Sequence, residues 1–287
     1  MKNWTLVLYF LLVGLGYAVA HADSGPLDHH FSTKVIPPEH LPIDSELFIS
    51  ADAGLKQHES KSRHFFFIDI RPEKSFETIH IPGSLNIPLF AIKTKAFLKN
   101  KRIVIVNEGF GYSSLVDACL QLRQSGFESV TILKGGLNFW IQKGGELRGD
   151  IFARKSLRMI APKDFFGDSG YDAVMPVEIY SGESAAGKLL IPRIVGAKLS
   201  NDISVMIDNL TRAIETAGID DPLYVVIIAE TDLMYQNFEG LMDREWPWPL
   251  FFLKGGLTGY KQFLNDQARI RATQTRERKK TRCRTCN

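Results

Sequence analysis

Three cysteines are the only thiols in the 287-residue chain, and two of them form the pair Cys283-x-x-Cys286 near its end. Two thiols at this spacing can cycle between a dithiol and a disulfide, and the flanking Arg282 and Arg284 would favour the reactive thiolates. The same pair supplies half of a tetrahedral zinc site. In an oxidising compartment it is expected to form a passive disulfide. Residue types alone leave these three interpretations open.

A second candidate site is a glycine-containing loop, which consists of Asn107, Glu108, Gly109, Phe110, Gly111, Tyr112 and Ser113. We call residues 107–113 the first loop. It follows an apolar run and precedes a helical pattern. In open α/β sheets, ligands bind where the carboxyl end of a strand meets the start of a helix. The N–H groups at such a helix start suit an anion, so the sequence predicts an anion-binding loop.

The elements that must position this loop are short apolar runs at residues 65–70, 103–106 and 130–133. Each is β-branched or aromatic and ends at a polar or glycine-rich break, which is typical of strands buried on both faces of a parallel sheet. Between the last two runs, four apolar residues from Leu115 to Leu122 fall at helical spacing. This stripe includes Cys119, which we therefore predict to be a core residue.

Four motifs in chain order connect these elements with a known family. They are Asp69-x-Arg71, then His80-Ile81-Pro82-Gly83-Ser84 leading to Asn86-Ile87-Pro88, then the strand–loop–helix, then Leu133-x-Gly135-Gly136-Leu137 with Trp140. In this order the stretch resembles a rhodanese domain. The resemblance implies a small α/β sulfurtransferase fold. In active members a loop cysteine carries a sulfane sulfur as a persulfide, which the loop amides and often an arginine hold.

The first loop departs from the family pattern at the sulfur-carrying position. Asn107 stands where the resemblance puts the cysteine, and Tyr112 stands where the arginine often lies. An amide cannot attack sulfur, because the thiolate is the nucleophile in this chemistry. Glu108 adds a negative charge that opposes an incoming anion. We therefore expect the loop to keep the fold without the chemistry, with Asp69 and Arg71 as a supporting hydrogen-bonded corner.

An internal repeat predicts a second, degenerate domain of the same kind. The pentapeptide LKGGL occurs at residues 133–137 and again at residues 253–257, each time after an apolar run. The loop equivalent to the first one, residues 229–235, also lacks a cysteine and begins with Ala229, Glu230, Thr231 and Asp232. We call it the second loop. We expect its acidic residues to cap a helix rather than bind a cation.

The aromatic segment at residues 245–249 contains Trp246 and Trp248. We expect it either to form a binding surface or to fill the seam between the two domains.

The predicted fold class is α/β, with two tandem rhodanese-like domains, each a small parallel sheet flanked by helices on both faces. Residues 1–22 have a positive start, an apolar run and small residues, as in a cleaved secretory signal peptide. An uncleaved membrane anchor is the alternative. The full prediction is a signal peptide at 1–22, a Pro/His-containing leader at 23–45, domains at 46–150 and 156–265, and a basic tail at 266–287.

Composition and charge limit the class of partner. The chain is 45% hydrophobic and 23% charged, as in soluble globular proteins, and its net charge of +3 creates no general field for polyanions. An exported protein is not expected to bind nucleic acid. The basic tail is expected to be mobile and to make weak contact with an anionic membrane surface. His29, His30 and His40 are expected to be solvated, and neither a metal nor a cofactor is predicted.

Two hypotheses follow for a periplasmic or secreted protein. The first is a non-catalytic binding or scaffold module that engages an unknown protein or a small sulfur-containing or anionic ligand. The second is a sulfurtransferase or thiol-redox carrier that uses Cys283 and Cys286. Whether the chain is an enzyme therefore stays open at the level of sequence.

Overall fold

Parallel β-sheets flanked by helices form the framework of the chain in a computed structural model. The described part of the chain comprises residues 45–60, 64–184, 191–219, 221–238, 244 and 246–284, with side chains as far as residue 275. These residues all belong to one unit, Val35–Asn287. The predicted signal peptide and nearly all of the leader lie outside the described residues.

The first domain contains the elements from β1 to β7. In chain order they are β1 (Phe48–Ile49), α1 (Ala51–Glu59), β2 (Phe65–Asp69), α2 (Glu73–Thr78), β3 (Ile79–His80), β4 (Leu85–Asn86), α3 (Leu89–Ile92), β5 (Arg102–Val106), α4 (Tyr112–Gln124), β6 (Ser129–Leu133), α5 (Gly136–Gln142) and β7 (Arg148–Gly149). The three predicted strands are confirmed as β2, β5 and β6, and the predicted helix is α4.

The second domain contains the elements from β8 to α8. In chain order they are β8 (Met159–Ile160), α6 (Pro162–Asp168), β9 (Val174–Tyr180), β10 (Val195–Lys198), α7 (Ile203–Thr216), β11 (Tyr224–Ile228), β12 (Leu250–Leu253) and α8 (Gly256–Arg284). A 3-10 helix at Ile151–Arg158 joins the two domains, and another at Asp232–Phe238 follows β11.

The two large sheets have the same strand order. In the first domain the order is β4-β2-β5-β6-β1, and in the second it is β10-β9-β11-β12-β8, with every neighbouring pair parallel. When the strands are counted along each domain, equivalent strands occupy equivalent places. The predicted fold class and the internal repeat are therefore confirmed by topology.

Side chains of successive residues in β5 enter different apolar clusters. Ile103 and Ile105 belong to the cluster that contains Leu115 and Cys119 of α4, whereas Val104 and Val106 belong to the one that contains α5. This alternation follows from the two-residue period of a strand. Because both faces are covered, the strand is apolar throughout. Cys119 is completely buried, as predicted.

The two domains share a buried interface. One face of each sheet contributes to the same apolar cluster, which contains residues of α4 together with residues of β11 and β12. At its centre, the rings of Tyr112 and Tyr224 lie 5.8 Å apart, and those of Tyr224 and Phe251 lie 5.5 Å apart. The domains are therefore held together by core-like contacts and not by a linker alone.

The described residues of the aromatic segment are divided between the second domain and the seam. Trp246 is buried in the apolar cluster on the other face of the second sheet, where it stacks with Trp248 at 6.2 Å. Pro249 lies at the seam, since a Cβ atom added at Gly135 of the first domain would be 2.6 Å from its ring. The binding surface expected for this segment stays a prediction.

The basic tail continues α8 as far as Arg284. This helix was not predicted from the sequence, and the mobility of the tail stays a prediction. Nucleating a helix is the costly step, and extending one adds a hydrogen bond for each residue fixed. The packed start of α8 removes that cost. Beyond Gly259 the helix contains neither glycine nor proline and is rich in Arg, Lys, Gln and Ala, which are strong helix formers.

The repeated pentapeptide is explained by a close approach that occurs in both domains. Gly136 and Gly256 have φ values of 51° and 56°. A Cβ atom added at either glycine would overlap with a backbone carbonyl oxygen, that of Asn107 or that of Ala229. The same two carbonyls accept hydrogen bonds from the amides of Leu137, at 2.9 Å, and Leu257, at 2.8 Å. The two glycines thus let the first loop lie against the start of α5 and the second loop lie against the start of α8.

We expect Gly136→Ala to lower the free energy of unfolding by more than about 3 kcal/mol, because it combines a left-handed backbone with a backbone clash. Gly144→Ala is the matched control, since its φ is 81° and an added Cβ would meet nothing within 4 Å. That control should lose only about 1 kcal/mol. Urea unfolding of both variants measures the difference, and equal losses would contradict this explanation of the repeat.

Candidate functional site

Asn107 closes the first loop with its own side chain. The residue is buried at the end of β5. Its amide nitrogen donates a hydrogen bond to the Phe110 carbonyl at 2.5 Å, and its amide oxygen accepts one from the Gly109 N–H at 2.8 Å. The amide thus acts as a cross-link within the loop, and it occupies the position at which the resemblance expects a nucleophile.

Asp69 and Arg71 form a hydrogen-bonded corner at the end of β2. Arg71 donates from Nε and Nη2 to the Asp69 carboxylate at 2.7–3.2 Å, and from Nη2 to the Ile79 carbonyl at 2.5 Å. Both side chains are buried. Asn86 donates from its amide to the carbonyls of both residues at 3.0 and 2.9 Å. The hydrogen-bonded corner is thus present and is tied to β3 and β4, while its support of the first loop stays a prediction.

A cleft of about 330 Å³ opens at the first loop. Asn107, Glu108 and Arg71 line it from the first domain, and Asp164 of α6 lines it from the second. Burial raises the pKa of Glu108 against the opposing effect of Arg71, and burial also raises the pKa of Asp164. Because Arg71 is already paired with Asp69, the lining has an excess of acidic groups and does not suit an anion.

The amides at the start of α4 are already bound to an anion within the chain. The Asp168 carboxylate accepts hydrogen bonds from the N–H groups of Gly111 at 2.7 Å, Tyr112 at 3.0 Å and Ser113 at 2.9 Å. The Tyr224 hydroxyl donates to it at 2.8 Å. Burial raises the pKa of Asp168, and these four hydrogen bonds oppose the rise. The predicted affinity for an anion is thus used internally.

Tyr112 joins the first loop to the repeated pentapeptide. Its hydroxyl accepts a hydrogen bond from the Gly135 N–H at 2.8 Å, and its ring is completely buried. Burial raises the pKa of this phenol well above its usual value. A neutral, buried tyrosine cannot hold an anionic sulfur as an arginine would.

The second loop also uses side chains to satisfy its own backbone. The Tyr235 hydroxyl accepts from the Ala229 N–H at 3.2 Å and donates to the Leu253 carbonyl at 2.8 Å. Asp232 accepts from the Gly255 N–H at 2.6 Å, and the Glu230 carboxylate accepts from the Thr258 hydroxyl at 3.4 Å. Both acidic residues therefore bond at the start of α8, not at the helix that follows them.

The structure brings together one of the two predicted sets of site residues. The first loop, Asp69 and Arg71 meet at one cleft, whereas Ala229, Glu230, Thr231 and Asp232 do not line it. Sequence reasoning missed Asp164, Asp168 and Tyr224, because no motif or spacing connects these residues with the first loop.

Several predicted features lie outside what the structure describes. They are Cys286, the side chain of Cys283, and His29, His30 and His40. Within the described residues, no group of three or more His, Cys, Asp or Glu side chains could hold a metal ion. Among the same residues, no helix has the length and apolar character that crossing a membrane requires.

Comparisons with solved structures find several similar chains. The BH2092 protein from Bacillus halodurans is 24% identical, with 36% of this chain and 77% of that chain covered and a TM-score of 0.33. The Alr3790 protein from Anabaena sp. is 28% identical, with 38% and 87% covered and a TM-score of 0.32. The thiosulfate sulfurtransferase from Pseudomonas aeruginosa is 17% identical, with 75% and 42% covered and a TM-score of 0.32.

In sequence comparisons, the chain matches a protein-family model but no individual curated protein. Residues 50–143 match the family model described as a rhodanese-like domain. This range extends from the end of β1 to the end of α5 and includes the first loop, the Asp69–Arg71 corner and the first copy of the pentapeptide. Residues 50–143 are therefore a rhodanese-like domain.

Proposed function

We propose that the chain is an exported, non-catalytic rhodanese-like module that binds or scaffolds a protein partner. The observation that carries this proposal is the buried Asn107 amide, which is hydrogen-bonded within the first loop and supplies no nucleophile. Ala229 begins the second loop and has no reactive group. Export is inferred from residues 1–22 alone.

The acidic cleft favours a protein over a small anion as the partner. Glu108 and Asp164 line the cleft. Among the described residues that line it, Arg71 is the one cation, and it is paired with Asp69. An oxyanion such as thiosulfate would meet net repulsion there. Basic or hydrogen-bond-donating groups of a partner are complementary to the same lining.

The alternative function is sulfur transfer or thiol redox through Cys283 and Cys286. Its support is that Cys119 is buried and unsuited to this chemistry, so that the tail contains the two remaining thiols. As a helix, α8 separates Gly256, which lies against the second loop, from Cys283 by about 40 Å. This distance favours exchange with another molecule over delivery of sulfur to a loop of the same chain.

A sulfurtransferase assay separates the two functions. An active thiolate would attack the outer sulfur of thiosulfate, forming a new S–S bond while sulfite leaves with the electron pair of the old one. Cyanide would then take the sulfur as thiocyanate and regenerate the thiolate. We expect the purified protein to produce no thiocyanate above the uncatalysed rate and to show no persulfide by mass spectrometry.

The control for this assay is the double variant Cys283→Ser/Cys286→Ser. Turnover that disappears in the double variant would replace our proposal with the alternative. Turnover that survives would implicate Cys119 and contradict both functions.

Thiol labelling gives an independent prediction. Burial raises the pKa of Cys119 to about 12, so that at pH 8 roughly one thiol in ten thousand is ionised. In the Cys283→Ser/Cys286→Ser background, we expect iodoacetamide to leave the native protein unlabelled. The same reagent should alkylate one cysteine after unfolding in guanidinium chloride. Rapid labelling of the native variant would show that Cys119 is accessible.

A further inference from the structure

Asp168 and the start of α4 come from different domains and meet at their interface. Asp168 is the last residue of α6 and is completely buried. Gly111 precedes α4 with a φ of 76°, which turns its N–H in the same direction as those of Tyr112 and Ser113. Three consecutive amides and the Tyr224 hydroxyl all donate to the one carboxylate.

These four donors suit an ionised carboxylate. An ionised carboxylate is an acceptor with two oxygens. Oδ2 accepts from Gly111, Tyr112 and Tyr224, and Oδ1 accepts from Ser113. All four donors are neutral, so the compensation for the negative charge comes from hydrogen bonds and from the positive end of the α4 dipole.

Further contacts cross the interface between the two domains. The rings of Phe110 and Phe251 meet edge to face at 5.4 Å. The Asn138 amide donates to the Leu250 carbonyl at 2.9 Å, and this hydrogen bond is buried. These contacts join the first loop and α5 of one domain to β12 of the other. Together with the hydrogen bonds of Asp168, they show that the interface contains both polar and apolar contacts.

We propose that Asp168 is a built-in anion that occupies the anion-binding amides of the first loop and thereby docks the second domain onto the first. The partner of the first loop is the second domain of the same chain. While Asp168 is in place, the amides are closed to oxyanions from solution. This inference is independent of the proposed function, because it concerns the acceptor at α4 and not the thiols or the cleft.

Asp168→Asn removes the charge and keeps the shape. Its NH2 group would face N–H donors in place of an acceptor oxygen, so we expect the melting temperature to fall by roughly 10 °C. Asp164→Asn is the matched control on the same helix, since its carboxylate has no hydrogen-bond donor within the described residues. That control should shift the melting temperature by about 2 °C or less. Equal shifts would overturn the proposal.

Chemical rescue distinguishes an anion site from ordinary packing. Asp168→Ala leaves room for a small carboxylate, so formate should raise its melting temperature while chloride at the same ionic strength should not. The wild-type protein should show no formate-specific shift. A folded Asp168→Ala variant that responds equally to the two salts would contradict the proposal.

Hydrogen exchange tests the inference on the unaltered chain. The amides of Gly111, Tyr112 and Ser113 should be protected in the wild type to about the level of the β5 amides. In Asp168→Asn they should exchange at least roughly tenfold faster, with β5 unchanged. Fast exchange of these three amides in the wild type would overturn the proposal, even if neither variant folds. Detection of sulfurtransferase activity would contradict the proposed function but not the inference about Asp168. The two proposals can therefore be refuted independently.

Discussion

The backbone amides at the start of α4 lie at the interface between the two domains, and amides removed from water need an acceptor. Asp168 supplies that acceptor from the second domain. It lies at the end of α6, against the first loop. Close by in the same interface, the ring of Tyr224 contacts that of Tyr112, and the ring of Phe251 contacts those of Tyr224 and Phe110. The Asp168 carboxylate is thus the polar contact on which our account of domain docking rests.

A second constraint acts identically within each domain. Gly136 and Gly256 let a helix start lie directly against the loop, and the contacts there involve the carbonyl groups of Asn107 and Ala229. Since the carbonyl does not depend on the side chain, residues of different types at these two positions can make the same contact. This contact therefore does not depend on which side chain stands at either position.

In the first loop, each group that would carry or hold a persulfide is already engaged in a contact within the chain. The Asn107 amide cross-links the loop, the Asp168 carboxylate takes the amides of α4, and the Tyr112 hydroxyl bonds to Gly135. The charge of the neighbouring cleft points the same way, because Glu108 and Asp164 repel the anions on which sulfur transfer depends. These contacts are the basis on which we propose a binding role.

Local sequence patterns were sufficient to predict the strands β2, β5 and β6, the helix α4 and the order of these elements. Apolar runs of β-branched and aromatic residues identify strands buried on both faces, and the stripe from Leu115 to Leu122 identifies one helix face. The missing nucleophile is equally a property of residue type at Asn107. The helix in the tail was not predicted, because polar composition argues against independent folding but not against extension of a helix that packing has already started.

The sequence by itself determined the α/β class, the repeat of LKGGL and the absence of a thiol from both loops, since each follows from residue types at short spacing. Only the tertiary structure decided what occupies the first loop. Asp168 is more than fifty residues away from α4 along the chain, and Tyr224 is more distant still. The pairing of a buried carboxylate with distant amides depends on how two domains pack, and no local pattern encodes that packing.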